Sequence, residues 1–532
     1  MTKKSAKQSF LEGAVVLIIA NALVKIIGAV FKLPLTNLIG KDGISIFSQA
    51  YNIYSALFIL STAGLPVAVS KMVAEANALG RPAEVKKIVR TAFLIFTFIG
   101  AACSLVLIFG AHTFAQMVGD EMAYFSMVCI GPALFFVAVM STIRGYFQGM
   151  SNMVPTAISQ VIEALFKLIA GSLFAYVLMR RRYGVEIAAA GAIAGVTIGT
   201  VFGALYLVIK LIRSPLRFPI RASSLETSSN SSILTRLIKI SIPITIGASV
   251  LSVTNLIDMF LVMNRLQDAG FSVKAARGLY GAYNMALNLF NVPQALIVAI
   301  SISIIPAIAS AFVRRDFHTT QRTMESALRI TALLALPCAA GLAILAEPIL
   351  KFLYYKQLED AALAAPLLTL LGGAVLFVAL VSITNSLLQS LGKVNIPVAT
   401  MLAGGAVKLV TNYLLVGDYD TNIHGAPIGT TLCYGTIAVL NLMAIVKTTG
   451  VKLPLGRIFL KPFAATAAMG VCAWFLYPAL GSFMGRTGAL LVTIAVCVAV
   501  YGMALVLVKA ITYDDVRFLP KGEKIARILR IK

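Results

Sequence analysis

Six ionisable residues stand inside long apolar runs of this chain: Lys25, Lys32, Glu163, Lys167, Asp258 and Lys408. A charge in a bilayer costs a few kcal/mol and is normally kept only where it faces a cavity or a partner. At 1.5 Å per helical residue, Lys25, Lys167 and Lys408 lie 11 or 12 residues into their runs, or roughly 17 Å deep. Three cations at mid-depth on separate helices suit an anion. A diphosphate fits, because lysine is a compact point charge that matches phosphate oxygens. Local pairing or snorkelling of each lysine is the plainer alternative.

Lys25, Gly28 and Lys32 are spaced i, i+3 and i+7 and share one helix face. Gly28 lets a cavity or a neighbouring backbone come close there, whereas Lys32 is near enough to the run's outer end to reach the interface. Glu163 precedes Lys167 by four residues, so a local Glu-to-Lys pair is the simpler expectation and a coupling or gating role the sharper one. Asp258 lies toward the outer side, where Asn412 is its neighbour by depth. An ion-coupling site, a gating pair and a structural hydrogen-bonded Asp are all open. Arg144 and Gln148 close a helix before a turn at Pro155, as an inner gate, a headgroup reader or an interface anchor. Prolines at Pro66, Pro243, Pro293 and Pro306 can bend helices that must rock. The six cysteines lie singly in apolar runs, so neither a metal site nor a disulfide framework is indicated.

The elements that position these residues are membrane helices. Of 532 residues, 59% are hydrophobic and 12% charged, with mean hydropathy +0.90; a soluble domain carries roughly 25% charged residues. The net charge of +24 does not indicate nucleic acid, because the basic residues are spread over short gaps between apolar runs. Windows of about 20 apolar residues predict spans at 13–35, 44–70, 91–118, 122–147, 156–180, 186–210, 238–263, 279–311, 328–354, 364–390, 396–417, 426–447, 460–480 and 487–510. With the N-terminus inside, inner loops and tails hold about 31 Lys and Arg against about 10 outside. Both termini are therefore expected in the cytoplasm. Arg180, Arg181 and Arg182 run against this trend. The first run is too long for a signal-peptide core and is expected to be retained.

The chain also repeats itself. Gln148 and Lys167 recur as Gln389 and Lys408, 241 residues on, and Leu65-Pro66 recurs as Ile305-Pro306. Same-orientation repeats imply an axis along the membrane normal and a substrate between the halves, as in secondary transporters. The expected fold is an all-α polytopic membrane protein of about 14 transmembrane helices. Residues 1–212 form an N-terminal six-helix bundle, 213–237 a cytoplasmic linker, and 238–450 a C-terminal six-helix bundle. Residues 451–532 add two helices and a basic cytoplasmic tail.

Residues 144–163, Arg-Gly-Tyr-Phe-Gln-Gly-Met-Ser-Asn-Met-Val-Pro-Thr-Ala-Ile-Ser-Gln-Val-Ile-Glu, resemble the SpoVB/YtgP branch of the polysaccharide-flippase family. Its superfamily also holds MurJ lipid II flippases and MATE exporters. The likeness spans nearly the whole chain. It implies two six-helix bundles around a V-shaped cationic cavity working by alternating access, with two extra C-terminal helices grooved for a polyprenyl tail. MurJ-like first helices carry Arg-x-x-Gly-x-x-Arg; here Lys25 and Gly28 match, while Lys32 falls one residue late. The seventh and eighth helices offer no basic match, Asn288 standing before Pro293. The implied cargo is an undecaprenyl-diphosphate-linked saccharide, with lipid II leading, in a bacterial cell membrane. Membrane lipids and cell-wall synthesis enzymes are the implied partners, with vegetative and sporulation roles both open.

Nucleotide-binding loops, zinc signatures, nucleophile elbows and acidic catalytic motifs are missing from the sequence, so an enzyme is not expected. No cofactor is expected; membrane potential, sodium and protons all stay open as energy sources. The rivals are a MATE-type cation-coupled drug antiporter, which needs cavity carboxylates, a polyprenyl-dependent glycosyltransferase, which needs a large outer loop, and a flippase for another lipid-linked polysaccharide.

Overall fold

The computed structural model describes residues 10–62, 64–213, 229–313, 317–393, 395–450 and 454–510. Lys3, Lys4, Lys7, Arg217, Arg221, Arg314, Arg315 and the basic tail 511–532 lie outside these, as do the side chains of Pro243 and Pro306.

The described residues are helical, with two single 3-10 turns and no strand. In chain order the helices are α1 (Phe10–Thr62), α2 (Leu65–Ala78), α3 (Pro82–Phe109), α4 (Ala111–Val118), α5 (Tyr124–Gly149), α6 (Val154–Arg180), α7 (Val185–Arg213), α8 (Asn230–Asp268), α9 (Val273–Val313), α10 (Phe317–Ile344), α11 (Ala346–Leu353), α12 (Leu358–Ser390), α13 (Asn395–Val416), α14 (Gly425–Thr449), α15 (Leu455–Gly481) and α16 (Arg486–Leu507). Among the described residues, eleven segments are long and apolar enough to cross a membrane. One of these, 19–78, has 60 residues, far more than the ~20 that a 30 Å core needs. It turns at Gly40, whose φ of 66° is in the left-handed region that favours glycine, so it supplies two crossings. With α8 and α9 covering the expected spans 238–263 and 279–311, the chain has about fourteen membrane helices. Two expected spans are each broken near one end: α3 stops at Gly110 before α4, and α10 at Leu345 before α11.

The chain divides into two compact units, Met1–Asn264 and Arg265–Lys532. In the first, α6 packs on α7, α5 on α3 and α7, α1 on α5 and α6, and α2 on α5. In the second, α13 packs on α14, α12 on α10 and α14, and α9 on α12. Apart from the contacts of α1, the same neighbour scheme is used twice, in keeping with the sequence repeat. α15 and α16 pair with each other and lie against α10 and α11. The part of α8 within the first unit is held along its length. Arg236 pairs with Glu75, Thr245 Oγ1 accepts from the Gly64 N–H at 3.1 Å, and the Asn264 amide donates to the Met117 carbonyl at 2.9 Å.

Candidate functional site

The site is built on the contact between α6 and α7. Gly191, Gly195, Gly199 and Gly203 recur every four residues and form a stripe along α7. A Cβ at Gly199 would stand 2.4 Å from the Glu163 carbonyl oxygen, and one at Gly195 would stand 2.4 Å from the Gly171 nitrogen. Small residues let membrane helices approach until van der Waals contact runs along the backbones. This close packing holds α6 so that Gln160, Glu163 and Lys167 face inward, toward α1 and α5.

There they line a cavity of about 230 Å³ with Asn21, Val24, Ile27, Gly28, Phe31, Tyr51, Arg144 and Ala164. Arg144, on α5, donates from Nη2 to Glu163 Oε2 at 3.1 Å and from Nε to Ser159 Oγ at 3.0 Å. Its side chain is 13% exposed and that of Glu163 28%. Lys167 does not pair with Glu163. Its ammonium lies over two rings of α1 instead, 4.8 Å from the Tyr51 centroid and 5.5 Å from that of Phe31. Such ring contacts contribute about 0.5–2 kcal/mol each, depending on desolvation. The simple i, i+4 pair loses for a geometric reason. The Arg144 fork reaches Glu163 from a facing helix, while the long Lys167 stem extends past that carboxylate to the rings. The Gln160 side-chain oxygen is buried and accepts no hydrogen bond from the protein. The cavity lining therefore holds two cations, one carboxylate and one unused acceptor.

The other expected site residues fall in several places. Gly28 lines the cavity, and nothing stands within 4 Å of the Cβ it lacks. Lys32 is half-buried and close enough to Lys167 for their charges to interact. Lys25, on the edge of the same face, is exposed and outside the cavity lining. Gln148 is half-buried one turn beyond Arg144 and is also outside the lining. Asp258 is buried on α8 in the first unit, at 7% exposure. Lys408 and Asn412 are buried on α13 in the second unit. A Cβ on Gly429 of α14 would come within 2.0 Å of Asn412 Oδ1, so any larger residue there would have to displace that amide.

Phe31, Tyr51, Asn21, Ser159 and Gln160 were not singled out from the sequence. The signal for Tyr51 was present as an aromatic series, Phe47, Tyr51, Tyr54 and Phe58, at alternating spacings of four and three. In the structure these form a ladder with successive centroids 5.8–5.9 Å apart.

The second unit repeats the polar cluster without its Arg–Glu ion pair. Adding the repeat interval of 241 residues takes Arg144 to Asn385, Ser159 to Thr400, Glu163 to Gly404 and Lys167 to Lys408. Asn385 and Thr400 meet at Asn441 of α14. The Asn441 amide donates to Asn385 Oδ1 at 2.8 Å and to Thr384 Oγ1 at 3.0 Å, and accepts from Thr400 at 2.7 Å. An ion pair in one unit thus corresponds to a neutral network in the other.

Comparison with known proteins gives a consistent picture. Residues 10–312 match the family described as polysaccharide biosynthesis protein, and residues 243–414 match the MatE family. The chain is 26% identical over 521 residues to Stage V sporulation protein B of Bacillus subtilis, covering 97% of this chain and 98% of that one. It is 24% identical over 506 residues to the lipid II flippase MurJ of the same organism, covering 92% of each. Among solved structures, a lipid II flippase MurJ in an inward closed conformation aligns with TM-score 0.71 at 15% identity, covering 93% of this chain and 98% of that one. An inward-facing MATE multidrug transporter aligns with TM-score 0.66 at 14% identity, covering 82% and 99%.

Proposed function

We propose, from the premise that this chain belongs to the polysaccharide biosynthesis protein family, that it is a flippase for a polyprenyl-diphosphate-linked saccharide, with lipid II as the leading cargo. The observation that carries the reading is the cavity of the first unit, where the two cations Arg144 and Lys167 outnumber the one carboxylate, Glu163. A diphosphate is the chemical class that answers it. Arg144 offers a planar fork for phosphate oxygens and Lys167 a movable point charge. In a bacterial membrane with the N-terminus inside, the cavity would run from Arg144, near the cytoplasmic end of its helix, to Lys167 at mid-depth, a path by which a lipid-linked precursor would be loaded. Outward movement of an anion across an inside-negative membrane is favoured by about 2.3 kcal/mol per charge per 100 mV, and alternating access would couple to that field. Lys408, at the Lys167 position of the second unit, is assigned to the same task.

The cation-antiporter reading, which the MatE match and the Glu163 carboxylate favour, needs a cavity anion left over for a cationic cargo. Glu163 is already engaged by Arg144, and Lys167 leaves the lining with a net positive charge.

The test is expression in a bacterium depleted of its own lipid II flippase, reading lipid II exposed on the outer face at matched membrane levels. Wild type restores exposure, while Lys167→Ala and Lys408→Ala reduce it, and Lys25→Ala, outside the cavity lining, stays near wild type. A wild type that inserts correctly and restores nothing removes lipid II as the cargo. Full restoration by the Lys167 and Lys408 variants removes those lysines from the site.

A further inference from the structure

Arg144 is committed to Glu163 in the structure, yet by only one hydrogen bond. Nη2 reaches Oε2 at 3.1 Å, and Nε is engaged by Ser159. The tight form of this pairing is bidentate, two parallel N–H···O bonds between fork and carboxylate. Here the carboxylate holds the guanidinium by one corner, at the wall of the cavity, and is the more exposed of the two partners.

The internal repeat supplies a second, independent observation. Across the 241-residue interval, Arg144 becomes Asn385 and Glu163 becomes Gly404, while Lys167 is retained as Lys408 and Ser159 is matched by Thr400. The arginine and the glutamate are absent together. Where the guanidinium is not needed, neither is the carboxylate, and a neutral amide, Asn441, joins the two helices instead. A glutamate whose role were to receive cargo directly would have no reason to leave with its arginine. The structure offers a simple reason for joint presence: Glu163 neutralises Arg144 whenever the cargo does not.

We infer that Glu163 is a built-in stand-in for the cargo's phosphate, which holds Arg144 in the empty transporter and is displaced from it when a diphosphate enters. This rests on the diphosphate reading of the cavity and adds how the site is regulated. On entry, a phosphate oxygen takes the Nη2 donor from Glu163 Oε2. The released carboxylate stays beside Lys167, four residues along the same helix. On release, Glu163 recaptures Arg144 and lowers the affinity for the departing anion. The unused Gln160 acceptor, one turn before Glu163, is placed to take a hydroxyl or amide N–H from the group attached to the phosphate. The exchange keeps a buried guanidinium from standing unpaired at any stage, which would be the costly alternative.

The test uses the full chain purified in lipid nanodiscs, with inorganic pyrophosphate and farnesyl diphosphate as probes and calorimetric titration as the readout. Glu163→Gln removes the competing charge while keeping an amide oxygen for Arg144. It binds both probes about tenfold tighter than wild type, which is about 1.4 kcal/mol, and restores less lipid II exposure in cells because release is slowed. Glu163→Asp, which weakens the pair without deleting the charge, tightens binding by a smaller factor. Arg144→Gln/Glu163→Gln, which removes the ion pair as in the second unit, shows no tightening. Equal or weaker binding by Glu163→Gln and Glu163→Asp overturns the inference. If wild type still restores lipid II exposure in that case, the flippase reading stands and only the exchange is wrong. Wild type that neither binds the probes nor restores exposure overturns both.

Discussion

Gly199→Ala is the sharpest perturbation of the site that touches none of its side chains. A Cβ there would stand 2.4 Å from the Glu163 carbonyl oxygen and 3.2 Å from the Lys167 nitrogen. Ordinary contact begins near 3.4 Å, so α6 must withdraw from α7 by about 1 Å over the turn carrying both charged residues. The obstacle is backbone, which cannot rotate away as a flexible side chain would. Overpacking of this kind costs about 1–3 kcal/mol, against a helix-propensity gain of about 1 kcal/mol for replacing glycine by alanine. Gly28→Ala is the matched control, with nothing within 4 Å of its added methyl. The assay is thermal unfolding of purified protein in one detergent, paired with lipid II exposure in flippase-depleted cells. Gly199→Ala melts below wild type and restores less exposure, because Arg144 and Glu163 are pulled apart. Gly28→Ala melts at or above wild type. A Gly199→Ala variant as stable and as active as wild type would refute the claim that close α6–α7 packing positions the site.

Three further outcomes follow from the same geometry. Asn441→Leu removes three side-chain hydrogen bonds in the second unit and leaves buried partners unsatisfied, which costs about 1–3 kcal/mol. It lowers the melting temperature while leaving pyrophosphate affinity within about twofold in titration. Gly429→Ala places a methyl within 2.0 Å of Asn412 Oδ1, and lowers the melting temperature more than Gly435→Ala, whose nearest neighbour would be the Phe377 ring at 3.9 Å. Tyr51→Leu removes the nearer ring beneath the Lys167 ammonium while keeping an apolar side chain. It leaves the fold intact by circular dichroism and weakens pyrophosphate binding by severalfold, whereas Tyr51→Phe keeps the ring and stays near wild type.

Much of the site was legible as residue types in the wrong partnership. Lys167, Glu163 and Arg144 all stand out in the sequence because charges within apolar runs are few, but spacing along one helix pairs Glu163 with Lys167. The observed partner of Glu163 is 19 residues away, across the turn between α5 and α6. A shared helix face likewise groups Lys25 with Gly28 and Lys32. The structure places Gly28 on the cavity wall and Lys25 outside it, because Val24, Ile27, Gly28 and Phe31 form the inward stripe and Lys25 sits at its margin. Tyr51 belongs to a visible aromatic series, but that Lys167 lies over it, and that Gln160 lines a cavity, depends on how α1 and α6 come together.

Composition and run length alone determined that this is a helical membrane protein. Burying so much apolar surface with so few charges leaves lipid as the only solvent, and in lipid each backbone N–H must find its partner inside its own helix. The spacing of identical residues 241 apart likewise determined that two units share one plan. Which charges meet was decided by tertiary structure, because pairing depends on how closely α6 settles on α7 and on the faces α1 and α5 turn toward it. Those are distances of a few ångströms between segments far apart in the chain, and no one-dimensional pattern encodes them.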